Sequence, residues 1–246
     1  MAIVTTDITD FQVLAVDYFY DFLQFLNYLQ TETIHRTVTG NISLKDIDAL
    51  SKRFRNGKVL QFQNEEMGWK IRSENECLYL NQIRITAEAM FLLYKRRDQF
   101  LISKNGRGFL TNLTPAMQYE QMILWSWHRV SWEYFSPGDV TKILQHNQQT
   151  IWNTLLEKGT EWIDFDIFCQ AIKRGFHFES RYQNSYNPDH ELYLDIRYGL
   201  LERNLKLFGL VETEIQTGKT KWDDKLTRFR STNLGLHLFQ AGLKPF

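Results

Sequence analysis

Residues Lys95 to Leu110 read Lys-Arg-Arg-Asp-Gln-Phe-Leu-Ile-Ser-Lys-Asn-Gly-Arg-Gly-Phe-Leu: a basic turn, a short apolar strand, then Ser103 three places before Gly106. Just upstream, Leu92-Leu-Tyr-Lys has the β-prone character of a partner strand, so Leu92 to Ser103 reads as strand, turn, strand. Before it, Leu80, Ile83, Ala87, Met90 and Tyr94 recur at helical spacing, and the whole becomes a buried helix feeding a hairpin. The same ending, a hydroxyl residue near a glycine, recurs at Thr39-Gly40 and at Thr232-x-x-Gly235. A Ser or Thr side chain can bond the local backbone there, and glycine supplies the conformation of a tight turn. The chain therefore reads as three hairpins, each closed by one such signal.

Working outward, Phe11 to Leu29 is apolar except at Asp17, Asp21, Gln24 and Asn27, which makes a helix buried on most sides. Residues 28–40 read as the first hairpin. Ser43 caps a helix whose apolar face is Ile47, Leu50 and Phe54 and which Gly57 stops, and residues 61–75 read as a surface loop. Residues 114–135, dense in tryptophan and methionine, read as a further core helix. Ser136-Pro-Gly138 marks the expected boundary between a domain over 1–136 with two hairpins and a domain over 139–246 with one. The second domain has a helix stopping at Gly159, another capped by Thr160, a third through Leu192, Ile196 and Leu200, a longer strand pair from Thr213, and a short terminal helix.

Helices followed by a two-stranded wing, with Thr232-x-x-Gly235 ahead of a last helix, resemble the end of winged-helix proteins, including MarR-type and ArsR-type regulators. Thr37-Val-Thr-Gly-Asn-Ile-Ser-Leu-Lys-Asp46, followed by a helix, a hairpin and Ser103-Lys-Asn-Gly-Arg107, resembles the C-terminal region of a family of uncharacterised bacterial proteins named after a plasmid open reading frame, over residues 25–112. The resemblance implies a mainly α fold with small β-hairpins, arranged as tandem winged-helix-like domains. The plasmid family implies no activity.

A chain of 246 residues, 43% hydrophobic and 15% aromatic, is long enough to bury a core without metals or disulfides. Its formal net charge of +0 means that any DNA-binding face must be a local patch. Cys77 and Cys169 stand apart without a Cys-x-x-Cys partner, as in a reducing compartment, and the cytoplasm is the expected location. Residues 1–10 carry no basic charge, so neither a secretory signal nor a membrane partner is expected.

Chemistry is scarce. Phosphate-loop, dinucleotide, zinc-protease and hydrolase motifs are absent from the sequence, and no catalytic residue, cofactor or metal is expected. His177, Glu179, Asp189, His190 and Glu191 crowd one polar loop, which reads as a solvated connection before it reads as a site. Six cations sit on the second hairpin or its flanks and two more on the third. Arg84, Lys95, Arg96, Arg97, Lys104, Arg107, Lys219 and Lys221 are the candidate nucleic-acid contacts, since wing tips of this type meet phosphate. Asp98, Glu212, Glu214, Asp223 and Asp224 are interleaved with them. Acidic residues on the helices before the wings favour a protein partner or a second copy of the chain over duplex DNA. Trp125, Trp127 and Trp132 are the candidate interface, because on one helix Trp127 points away from the other two and at least one of the three should be accessible.

Overall fold

The computed structural model describes residues 7–65, 67–178, 188–218 and 224–244. Within it the chain separates into two compact units: Thr9–Val130, here the N-terminal unit, and Ser131–Phe246 with Met1–Ile8, here the C-terminal unit. The division falls ahead of Ser136-Pro-Gly138 because Trp132 and Phe135 are buried with the residues that follow, the Trp132 ring lying 6.4 Å from that of Trp152. Both units are mostly helical and carry small antiparallel sheets.

In the N-terminal unit a short helix α1 (Asp10–Leu14) leads into α2 (Asp17–Thr31). Phe19, Phe22, Phe25 and Leu26 on α2 are fully buried, and each such side chain withdrawn from water contributes about 1.5–3 kcal/mol. The acidic stripe of this helix is not simply solvated. Asp21 is buried and accepts from the Arg55 and Asn56 backbone amides (2.7 and 3.2 Å) and from the Tyr79 hydroxyl (2.8 Å), so it ties the chain beyond the next helix to the core.

The hairpin expected over 28–40 does not form. Residues Ile34–His35 make a short strand β1 whose partner lies far along the chain, at Phe100 and Gln99. Gly40, at φ +85°, serves a local turn in which its amide bonds the Thr37 carbonyl (2.8 Å), and that turn closes only a single antiparallel bridge between Arg36 and Ile42, beyond the expected range. Helix α3 (Leu44–Ser51) starts at Ser43 as its sequence dictates, with the Ser43 hydroxyl accepting from the Asp46 amide (3.2 Å). It stops at Ser51, before Gly57. The stretch read as a loop contains a small hairpin, β2 (Phe62–Asn64) with β3 (Trp69–Lys70). Helix α4 (Leu78–Ala89) then feeds the expected hairpin β4 (Leu93–Arg96) and β5 (Gln99–Ile102), followed by α5 (Lys104–Asn112) and α6 (Pro115–Arg129). The sheet order is β1-β5-β4.

The C-terminal unit runs α7 (Asp139–His146), α8 (Gln148–Lys158), β6 (Ile163–Asp164) and α9 (Phe165–Gly175). Next come α10 (Pro188–Ile196) with its π-helical continuation Arg197–Lys206, β7 (Val211–Gln216), β8 (Lys225–Ser231) and α11 (Asn233–Gly242). Gly159, at φ +59°, follows the end of α8 as expected, but the cap of α9 is Asp164, whose carboxylate accepts from the Ile167 amide (2.9 Å), and not Thr160. The sheet order is β6-β8-β7, so both units follow a short first strand with helices and a hairpin, and in both the last strand lies in the middle. Trp152 stacks on Phe239 (5.0 Å) and Phe168 meets Phe229 edge-on (5.0 Å) in the core of this unit. Among the described residues no helix is long and apolar enough to cross a membrane.

Candidate nucleic-acid interface

The β4–β5 hairpin turns tightly at Arg97 and Asp98, with Arg97 at φ +52°. Its register pairs Leu93 with Ile102 and Lys95 with Phe100 on the core side, leaving Tyr94, Leu101, Arg96 and Gln99 on the other face. Arg36, just past β1, clamps the tip from below: its amide donates to the Asp98 carbonyl (2.7 Å) and its guanidinium to the Arg97 carbonyl (3.1 Å). Arg96 and Arg97 are exposed at this braced tip, and Lys104 and Arg107 are exposed on the first turn of α5. Arg107 also donates to the Ile102 carbonyl (3.1 Å). Among the described residues no carboxylate pairs with these four side chains.

Two of the expected contacts are spoken for. Arg84 is only 8% exposed, and its guanidinium bonds Glu74 (2.5 Å) and Glu88, so it does not reach outward to a base. Burial works against its charge, but the two carboxylates more than offset this and hold its pKa above the ordinary value. Glu74, fully buried, also accepts from the Ile42 amide (2.6 Å), and Lys95 meets Glu88 at 2.8 Å. These contacts make one chain, Glu74–Arg84–Glu88–Lys95, joining α4 to the hairpin. Helical spacing offers the Arg84–Glu88 pair, four residues apart on α4, but gives no sign of Glu74, which precedes α4 and enters through a separate turn.

The C-terminal hairpin treats its cations differently. Arg228 bonds Glu214 (2.7 Å) and Arg230 bonds Glu212 (2.6 Å), each directly across the ladder, while Lys225 meets Asp166 (2.8 Å). Both guanidiniums also lie 4.8 Å from the Trp162 ring. Lys219 and Lys221 lie outside the described residues. Beside this hairpin Phe165, Tyr193, Leu194, Tyr198 and Leu226 line a groove of about 540 Å³, edged by Arg197 and Lys225.

The tryptophan expectation is corrected in part. Trp127 and Trp132 are fully buried, each in the core of its own unit, and Trp125 is half-buried. Trp127 points away from Trp125 as helical spacing requires, but that direction is inward, toward the core of the N-terminal unit. Trp125 packs edge-on against Phe91 (5.9 Å, 89°), an exposed residue that the sequence reading passed over.

The polar-loop cluster does not assemble among the described residues. Asp189 pairs with Lys173 (2.6 Å), His190 edges the groove, Glu179 lies outside the described residues, and among the described residues no group of three His, Cys, Asp or Glu is placed to hold a metal. Burial pushes the Cys77 thiol up to about 11 and raises that of Cys169 as well, so both stay protonated and unreactive at neutral pH. Comparison with known proteins finds no matching family model, no matching curated protein and no matching solved structure.

Proposed function

We propose that this chain is a non-enzymatic binding module built from two winged-helix-like units, and that the β4–β5 hairpin is a wing that contacts the phosphate backbone of DNA. The repeated order of elements, with the last strand central in each sheet, supports the architectural part. One observation carries the functional part: Arg96, Arg97, Lys104 and Arg107 stand exposed on and beside a braced hairpin, without carboxylate partners among the described residues, on a chain of net charge +0. Cations left unpaired in this way are free to displace counterions from phosphates, which is the main source of sequence-independent affinity.

The test is a mobility-shift titration of duplex DNA at two salt concentrations. Replacing Arg96 and Arg97 together by Ala should weaken binding and lower the slope of log affinity against log salt by about 2, roughly one counterion for each lost contact. Replacing Arg228 and Arg230 should leave the slope unchanged. A chain that shifts no DNA at low salt ends the DNA reading.

A protein partner or second copy of the chain is the other reading, favoured by the groove lined by Tyr193, Leu194, Tyr198 and Leu226. Light scattering of the purified chain and of Leu194→Asp decides whether that groove joins two copies.

A further inference from the structure

The two units end the helix that leads into the hairpin in the same way, with one substitution that stands out. In the C-terminal unit Gly209 adopts φ +71°, its carbonyl accepts from the Thr232 hydroxyl (2.8 Å), and the next carbonyl, of Leu210, accepts from the Thr232 amide (2.9 Å). In the N-terminal unit Phe91 adopts φ +56°, its carbonyl accepts from the Ser103 hydroxyl (2.7 Å), and the Leu92 carbonyl accepts from the Ser103 amide (2.9 Å). Bond for bond, Phe91 occupies the place of a glycine. A bulky side chain is strained in the left-handed region, where glycine is at ease. Burial does not compensate, since Phe91 is 64% exposed. A residue that is both strained and left in water is a reason to look for a function that uses it.

Its surroundings narrow that function. The ring packs edge-to-face with half-buried Trp125, whose ring Arg129 also approaches at 5.9 Å, so an aromatic pair with a cation beside it reaches the surface. The Ser103 hydroxyl fixes Phe91 at the start of α5, where Lys104 and Arg107 are exposed. Arg96 and Arg97 lie beyond it at the hairpin tip, about 16 Å along the strand at 3.3 Å per residue. We propose that Phe91 and Trp125 form a stacking platform for an unpaired base, and that single-stranded nucleic acid runs from this platform along the basic hairpin. The proposal rests on the phosphate-binding reading given above and specifies its ligand. Interleaved aromatic and cationic side chains suit single strands, whose base faces are open. In a duplex those faces are covered by neighbouring pairs, and only edges and phosphates can be reached.

The experiment is fluorescence anisotropy with a labelled oligothymidylate and a labelled duplex of the same length, using the full chain and its Phe91→Gly variant. Glycine fits the backbone better than phenylalanine does, so the variant should melt no lower than the parent. Its affinity for the single strand should fall about 5- to 150-fold, the range for one lost stacking contact, while its duplex affinity stays within about twofold. Phe91→Asn, which also tolerates this conformation, should behave in the same way, and Phe91→Trp should retain single-strand binding. Unchanged single-strand affinity in both Phe91→Gly and Phe91→Asn overturns the platform, as does an equal loss for duplex and single strand. A parent that binds duplex but not single strand overturns this inference and leaves the phosphate-binding wing standing. A parent that binds neither removes both. Self-association that disappears in Phe91→Gly, without nucleic-acid binding, would assign the platform to a protein contact instead and overturn the proposal.

Discussion

In the N-terminal unit the hairpin of β4 and β5 carries Arg96 and Arg97 to its tip with no carboxylate opposite, whereas in the C-terminal unit Arg228 and Arg230 each face a glutamate across the ladder. The backbones are laid out alike, down to the hydroxyl that closes each helix–hairpin junction. What differs is the residue paired across the strands, and that pairing decides whether a cation is spent inside the hairpin or presented outside it. Charge follows the same division below the surface. The N-terminal unit buries a Glu74–Arg84 ion pair under its hairpin, and the C-terminal unit places Ser231, Phe229 and Leu226 on the inward face of β8.

The largest effect should come from breaking that buried pair. Glu74→Ala leaves the Arg84 guanidinium buried with only Glu88 beside it and the Ile42 amide without its acceptor, and it should destabilise the N-terminal unit by about 3–5 kcal/mol in denaturant unfolding. A loss under about 1 kcal/mol would mean that the pair is open to water and that the two units do not differ in buried charge.

Next come two glycines that should behave alike. A methyl group on Gly106 would sit 2.1 Å from the Leu92 carbonyl oxygen, and one on Gly235 would sit 2.1 Å from that of Leu210. Both contacts are to backbone, which cannot swing aside, so Gly106→Ala and Gly235→Ala should each cost about 1–3 kcal/mol, read by thermal melting of the single variants. A tolerated alanine at one position and not the other would break the equivalence of the two junctions.

The smallest effect on stability sharpens the contrast most directly. Glu212→Gln with Glu214→Gln removes two exposed ion pairs and should change stability by less than about 1 kcal/mol. It should nevertheless release Arg228 and Arg230, so that the C-terminal hairpin gains DNA affinity with a steeper salt dependence. No gain in a mobility shift would mean that pairing is not what silences this hairpin.

Much of this was legible in the residues themselves, because it depends on neighbours a few places away. The helix cap at Ser43 and the β4–β5 hairpin are local, as is the Gly159 at the end of α8, and these features sit where the sequence placed them. Ser103 and Thr232, read as hairpin closures, turn out to cap the helices that follow. The exposure of Arg96 and Arg97 was equally readable, since a tight turn puts long side chains into water, while Lys104 and Arg107 are exposed on the first turn of a helix, α5, that the sequence reading did not place. What the sequence could not determine was anything whose partner lies far along the chain. Ile34–His35 looked like half of a local hairpin until Gln99 and Phe100 claimed it, and Gly106 looked like a turn glycine until the Leu92 carbonyl left it no room for a side chain. Trp127 and Arg84 each had the right helical direction and the wrong environment, because only packing decides which face of a helix is covered. Phe91 drew no notice at all, for its backbone conformation is set by the junction between a helix and a hairpin closed by a serine twelve residues on. Local sequence fixes propensity and caps over a turn or two, and burial, strain and charge pairing belong to the tertiary contacts that bring distant segments together.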